Sequence, residues 1–265
     1  MSCENSKNDI FMKVLILSSS DCGGAGIAAL RLHKALMENG INSSILCFFK
    51  GTNTPKVYRS RVNKSLFVKA IERISIPFRQ NKYKKYHQLL LQGTYEIWSF
   101  PEAIYDISKH PLVKQADIIN IHWIGNHLNY ESFFRNVKKP IVWTLHDMNP
   151  FLGIAHYCGD RDNHPQFLFL EEQIRQIKLK AIAQHPNVSV VNLCNWMKSY
   201  SSNSEVFANR KHAVIPNSID ITTFKVYDKI EVRKELDLPL DKPVLLFVSQ
   251  SVGNRRKGFD LLQEA

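Results

Sequence analysis

The sequence predicts an α/β protein: a doubly wound parallel sheet forming a Rossmann-like N-terminal domain, followed by the start of a second domain of the same kind. Three observations carry this. Residues 13–49 read as strand, Gly-rich turn, helix, strand, which is a βαβ unit. Short apolar runs then alternate with helical stretches along the rest of the chain. Residues able to do chemistry recur at the carboxyl ends of those runs, where doubly wound sheets bind their ligands.

Taken in order, Lys13-Val-Leu-Ile-Leu-Ser18 is a buried strand that runs into Asp21-Cys22-Gly23-Gly24-Ala25-Gly26. The Ala- and Leu-rich stretch from Ala25 to Asn39 predicts a helix, with Gly40 closing it. Asn42 to Phe49 is the second strand. Asp117–His122, Pro140–His146, Val188–Leu193 and Ala213–Pro216 are further strands, and Glu171–Gln184 is helical. Pro216-Asn217-Ser218-Ile219-Asp220 is turn-like, and Asp228 to Lys242 reads as a connection with a short helix. Pro243–Ser249 predicts a fresh strand, Gly253–Gly258 a loop and Phe259–Ala265 the start of a helix. The chain is therefore expected to divide into 1–225, a Rossmann-like domain with its connection, and 226–265, the incomplete start of a second domain. No internal repeat of fixed period is present.

The 265 residues carry 44% hydrophobic residues, enough for a packed core and too many for a disordered chain. No run approaches a membrane span, and the polar N-terminus lacks a signal peptide's apolar stretch, so a cytoplasmic location is expected. Five cysteines without paired spacing argue for reduced thiols. The net charge of +11 is concentrated: residues 50–90 hold eleven Lys or Arg and only Glu72 as acid, a local +10. Ser65 to Ile74 can be helical within that block, and Pro77 interrupts it. The block fits a core-packed helix with a solvated basic face, or a surface that docks on an anionic membrane. No nucleic-acid-binding motif accompanies its tyrosines, so nucleic acid is not expected as a partner.

Among candidate functional residues, Gly23, Gly24, Ala25 and Gly26 permit close backbone approach and a helix start that favours anions. The turn is neither a P-loop nor the G-x-G-x-x-G dinucleotide fingerprint. A simple tight turn is the alternative. His122 ends one strand, and the His146-Asp147 pair ends the next. A lone strand-end histidine is commonly structural, but two in one sheet strengthen each other. His156, Cys158 and His164 lack the spacing of a structural zinc site, so no metal is expected.

Together, the motifs at 23–36, 117–124 (Asp-Ile-Ile-Asn-Ile-His-Trp-Ile), 140–148 (Pro-Ile-Val-Trp-Thr-Leu-His-Asp-Met), 214–220 (Val-Ile-Pro-Asn-Ser-Ile-Asp) and 256–262 (Arg-Lys-Gly-Phe-Asp-Leu-Leu) resemble glycosyltransferase family 4. The likeness is closest to bacterial enzymes of exopolysaccharide and colanic-acid-type polymers. It implies a GT-B architecture, with acceptor held by the first domain and nucleotide-sugar donor by the second. It further implies retention of anomeric configuration and no catalytic metal or cofactor, the nucleotide-sugar being a substrate. His122 would sit beside the sugar at the reaction centre. Gly23, Gly24, Ala25 and Gly26 would approach donor phosphate or acceptor, and His146 and Asp147 would line the acceptor side. Asn217 and Asp220 would lie at the domain crossover, and Lys257 would balance the departing diphosphate. The acceptor implied is a saccharide or a lipid-linked saccharide. The chain departs from the family pattern at Ser251, where an Arg is usual, and at Cys194-Asn195-Trp196, where a Ser opens the triplet. The segment after Asp147 resembles a shortened form of a Cys-containing insertion. The family's acidic E-x7-E region has no counterpart, so a donor domain cut short is expected, with weak donor binding and little or no activity in this chain alone. The alternative is a non-catalytic module that binds an acceptor or a partner and docks on membrane.

Overall fold

A computed structural model describes residues 12–60, 84–91, 96–103 and 105–265. The 65–74 helix and most of the basic block lie outside the described residues. The chain divides into a unit ending at Ser218 and a unit from Ile219 to Ala265. The boundary expected from the sequence, after residue 225, lies a few residues further on.

The first unit is built on a seven-stranded, all-parallel sheet flanked by helices, a Rossmann-like arrangement. Its strands are β1 (Lys13–Ser20), β2 (Asn42–Phe49), β3 (Val57–Arg59), β4 (Ile118–Ile121), β5 (Ile141–Leu145), β6 (Val188–Asn192) and β7 (Lys211–Val214), in the order β3-β2-β1-β4-β5-β6-β7. The helices are α1 (Gly23–Glu38), α2 (Lys84–Leu91), α3 (Pro111–Gln115), α4 (Tyr130–Asn136), α5 (Cys158–Asp162), α6 (Leu168–Ala183) and α7 (Asn195–Asn203). The chain winds outward from β1 to β3, then returns to lay β4 on the other flank of β1. The junction of β1 and β4 is therefore the switch point, the place where such sheets leave a crevice.

The continuous apolar run of β1 follows from burial on both faces. Leu15 and Leu17 join the larger core with Ile119, Ile121, Phe133, Phe134 and Trp143. Val14 and Ile16 alternate to the opposite face and pack with Ala29, Ile45, Cys47 and Val57. Trp143 stacks on Phe134 at 5.9 Å and meets Phe207 edge-on at 5.6 Å. Helix α1 ends as expected at Gly40, which adopts φ +76°. The Gly40 N–H donates to Met37 and the Ile41 N–H to Leu36, so two terminal carbonyls are satisfied and the chain reverses into β2.

The second unit contains α8 (Lys229–Glu235), a 3-10 turn (Arg255–Lys257) and α9 (Phe259–Glu264). Asp228 caps α8 through the N–H groups of Ile230 and Glu231. The strand expected at Pro243–Ser249 does not form. Leu245 and Leu246 are 83% and 84% exposed, and the described residues of this unit include no strand for them to pair with. A strand is stabilised by its neighbours rather than by its own composition. Among the described residues, no helix is long and apolar enough to cross a membrane.

Candidate functional site at the carboxyl ends of β4 and β5

His122 follows the last residue of β4, and His146 the last residue of β5. Adjacent parallel strands bring their carboxyl ends to the same edge, so the two rings meet: His122 Nδ1 lies 2.8 Å from His146 Nε2. The backbone N–H of His122 donates to Leu17 on β1, and the N–H of Ser19, also on β1, donates to Trp123, so two bonds to β1 fix the histidine at the switch point. His122 is 4% exposed. Burial, and next the neighbouring His146, push its imidazole down to about 3, so the ring is neutral. With Nδ1 engaged by His146, Nε2 is buried with no hydrogen-bond partner. A neutral imidazole in this position can give one hydrogen bond or take one, according to tautomer.

Asp147, next along the chain, organises the wall of the site. Its Oδ2 accepts from Trp123 Nε1 at 2.6 Å and from His156 Nδ1 at 2.5 Å, and its Oδ1 accepts from the Asn149 N–H at 3.0 Å. Burial drives this carboxyl up, but His156, the Asn149 N–H and Trp123 together hold it below the usual carboxylate range. His156 Nδ1 donates the bond to Asp147, and its Nε2 lies 2.8 Å from the Ser99 hydroxyl oxygen. The three bonds to Asp147 engage both carboxylate oxygens and make it an anchor for Trp123 and His156.

His122, Trp123, His146, Asp147, Asn149 and His156 are among the residues lining a recess of about 10 Å³. That is room for roughly one water molecule, so these groups form a floor on which a ligand atom can rest. Gly125 is required here: a Cβ would stand 2.7 Å from Ser99 Oγ and 2.8 Å from the Trp123 ring.

The Gly-rich turn lies at the same sheet edge, after β1. Gly23 opens α1 with φ +71°, and Gly23 and Gly24 are exposed. Ala25 is half-buried. Gly26 is buried for a packing reason, since a Cβ would lie 2.6 Å from the Asp21 carbonyl carbon and 2.7 Å from the Ser20 oxygen. Asp21, which sequence reading passed over, pins the turn to the loop after β2. Its carboxylate accepts from the N–H groups of Gly51 (2.6 Å) and Thr52 (2.9 Å) and from the Thr52 hydroxyl (2.6 Å). Burial raises the Asp21 carboxyl, but these bonds outweigh it and hold the group low.

Asn217 is exposed beyond β7, on a segment tied to α1 by Arg31 donating to the Ser218 carbonyl at 3.0 Å. Asp220 and Lys257 belong to the second unit. Asp220 accepts from Thr222 and Thr223, and these bonds bring its carboxyl down to about 2. Lys257 is exposed on the 3-10 turn, before Gly258 at φ +74°. The three residues weighed as metal ligands point to separate partners: His156 to Asp147, Cys158 to Met148 Sδ and His164 to the Asp160 carbonyl.

Trp123, Ser99, Asn149 and the Asp147 role of His156 escaped the sequence. Ser99 and His156 are 57 residues apart and carry no shared pattern. The one local signal was the Trp directly after His122. Compared with known proteins, the chain matches no family model and no curated protein.

Proposed function

We propose that this chain is a glycosyltransferase of the GT-B, family-4 type, which transfers a sugar from a nucleotide-sugar donor to a saccharide or lipid-linked acceptor with retention of configuration. The observation that carries the reading is the buried, neutral His122, whose Nε2 lacks a partner at the switch point of a parallel sheet. A buried polar atom without a partner costs free energy, and a ligand hydroxyl repays it. In this reading His146 donates to His122 Nδ1, which leaves the Nε2–H of His122 to hold a sugar hydroxyl and orient the reacting carbon. A neutral donor suits that task, because a cation there would compete with the diphosphate-binding groups for negative charge.

The Gly23–Gly26 turn, with its exposed helix start, would approach phosphate or acceptor. Lys257 would balance the leaving diphosphate as part of the donor half. The +10 charge of residues 50–90 supports delivery of a lipid-linked acceptor from an anionic membrane surface.

The test is transfer from a panel of nucleoside diphosphate sugars to saccharide and polyprenyl-phosphate-linked acceptors, read as released nucleoside diphosphate and as labelled product. His122→Ala should lower turnover about 100-fold or more, the usual cost of removing a pre-placed donor. Equal turnover in His122→Ala and in the parent chain would sink the reading.

A further inference from the structure

Helix α6 carries two buried ionisable side chains two turns apart, Glu171 and Lys178, and the transferase reading uses neither. Lys178 is 0% exposed. Its ammonium is set among oxygens of one turn: the Asn149 carbonyl at 2.6 Å, Asn149 Oδ1 at 3.1 Å and the Gly153 carbonyl at 2.5 Å. Three acceptors take all three ammonium protons. Burial pulls this ammonium down to about 7, against the upward pull of Glu171 and Asp147; the three contacts belong to its protonated form. The Tyr130 ring lies 5.7 Å away and adds a favourable face for the cation.

Glu171 holds the same turn by the opposite polarity, accepting from the N–H groups of Ile154 and Ala155, each at 2.9 Å. Asn149 Nδ2 bridges the interior by donating to the Ile154 and Ala155 carbonyls, both at 3.1 Å. Residues 149–155 are buried and belong to no helix or strand, so their backbone groups need partners from elsewhere. The chain packs so closely that a Cβ on Gly153 would fall 2.2 Å from the Glu171 carbonyl oxygen.

The two ends of this turn enter the site. Asn149 gives its N–H to Asp147 Oδ1, and His156, immediately after Ala155, donates to Asp147 Oδ2. We propose that Lys178 is the positioning residue of the His122 site: as a fixed cation inside the 149–153 turn, it sets the hydrogen bonds of Asp147 with His156 and Trp123. The inference goes beyond the transferase reading and holds for any ligand of the recess. Glu171 is the counter-strut that fixes the other side of the turn.

The experiment needs no substrate. In the full chain at pH 6, where Lys178 is protonated, proton and ¹⁵N spectra report the His156 Nδ1 proton, shifted far downfield by its short bond, and the Trp123 indole N–H, assigned by Trp123→Phe. Lys178→Met should retain the far-ultraviolet spectrum and cooperative unfolding of the parent, lose the downfield proton and move the indole resonance. Lys178→Gln, which keeps two donors without the charge, is made in parallel and should weaken and shift both signals if the Met variant does not fold. A folded variant with both resonances at the parental positions would overturn the proposal. Failure of both variants to fold would overturn it too, by assigning Lys178 to the stability of the core alone.

Discussion

Lowering the pH should destabilise this protein through His122, and the size of the effect follows from its burial. The folded imidazole is held at about 3 against an ordinary 6.5. Between those values the unfolded chain binds a proton that the folded chain refuses, so stability rises with pH across the window and falls as pH drops through it. Each pH step below 6.5 costs about 1.4 kcal/mol. At pH 5 the loss from His122 alone is therefore about 2 kcal/mol relative to pH 7, a large part of a typical stability of roughly 5–15 kcal/mol. His127, pushed down to about 4 mainly by burial, acts in the same direction and serves as an internal background. The perturbation is His122→Asn, which keeps a polar atom near Nδ1 for His146 and removes the titration. Urea unfolding at both pH values should show the parent losing about 2 kcal/mol more than the variant. In ¹H–¹³C spectra, the His122 Cε1 resonance should hold its position from pH 8 to pH 5. Equal losses in parent and variant, or a His122 resonance titrating near 6.5, would refute the reasoning.

Two further outcomes test the frame around the site. Gly26→Ala places a methyl 2.6 Å from backbone at Asp21 and should cost roughly 1–3 kcal/mol in chemical unfolding. Gly24→Ala, with open space around it, should instead be neutral or stabilising by up to about 1 kcal/mol, and equal behaviour of the two variants would contradict the close approach. Cys194 occupies the N-cap of α7 without a side-chain hydrogen bond. Cys194→Ser should raise the thermal midpoint through a gain of about 1 kcal/mol, and no change would show that the hydroxyl finds no N–H in that first turn.

The parallel sheet was legible because its signal is local. Apolar runs at 13–18, 42–49, 118–121, 141–145 and 188–192 are marked by composition, and Gly-rich or polar turns mark their ends. The three-residue β3 was missed because Val57-Tyr58-Arg59 is too short to show a pattern; it exists because β2 offers it an edge. Pro243–Ser249 fails in the opposite direction, with strand composition and no partner. His122 and His146-Asp147 could be singled out because each directly follows a strand, and strand ends share an edge once the sheet is parallel.

By itself the sequence determined that the sheet is parallel and which histidines stand at the carboxyl ends of its strands. Only the tertiary structure decided what those residues are bonded to. It makes Asp147 the anchor of Trp123 and His156, and it leaves His122 Nε2 buried without a partner. It also brings Lys178 beneath the 149–153 turn from a helix 29 residues away. The physical reason is range. Strand and helix preferences act over a few residues, whereas the charge state of a buried side chain depends on whichever groups the folded core packs within hydrogen-bond distance.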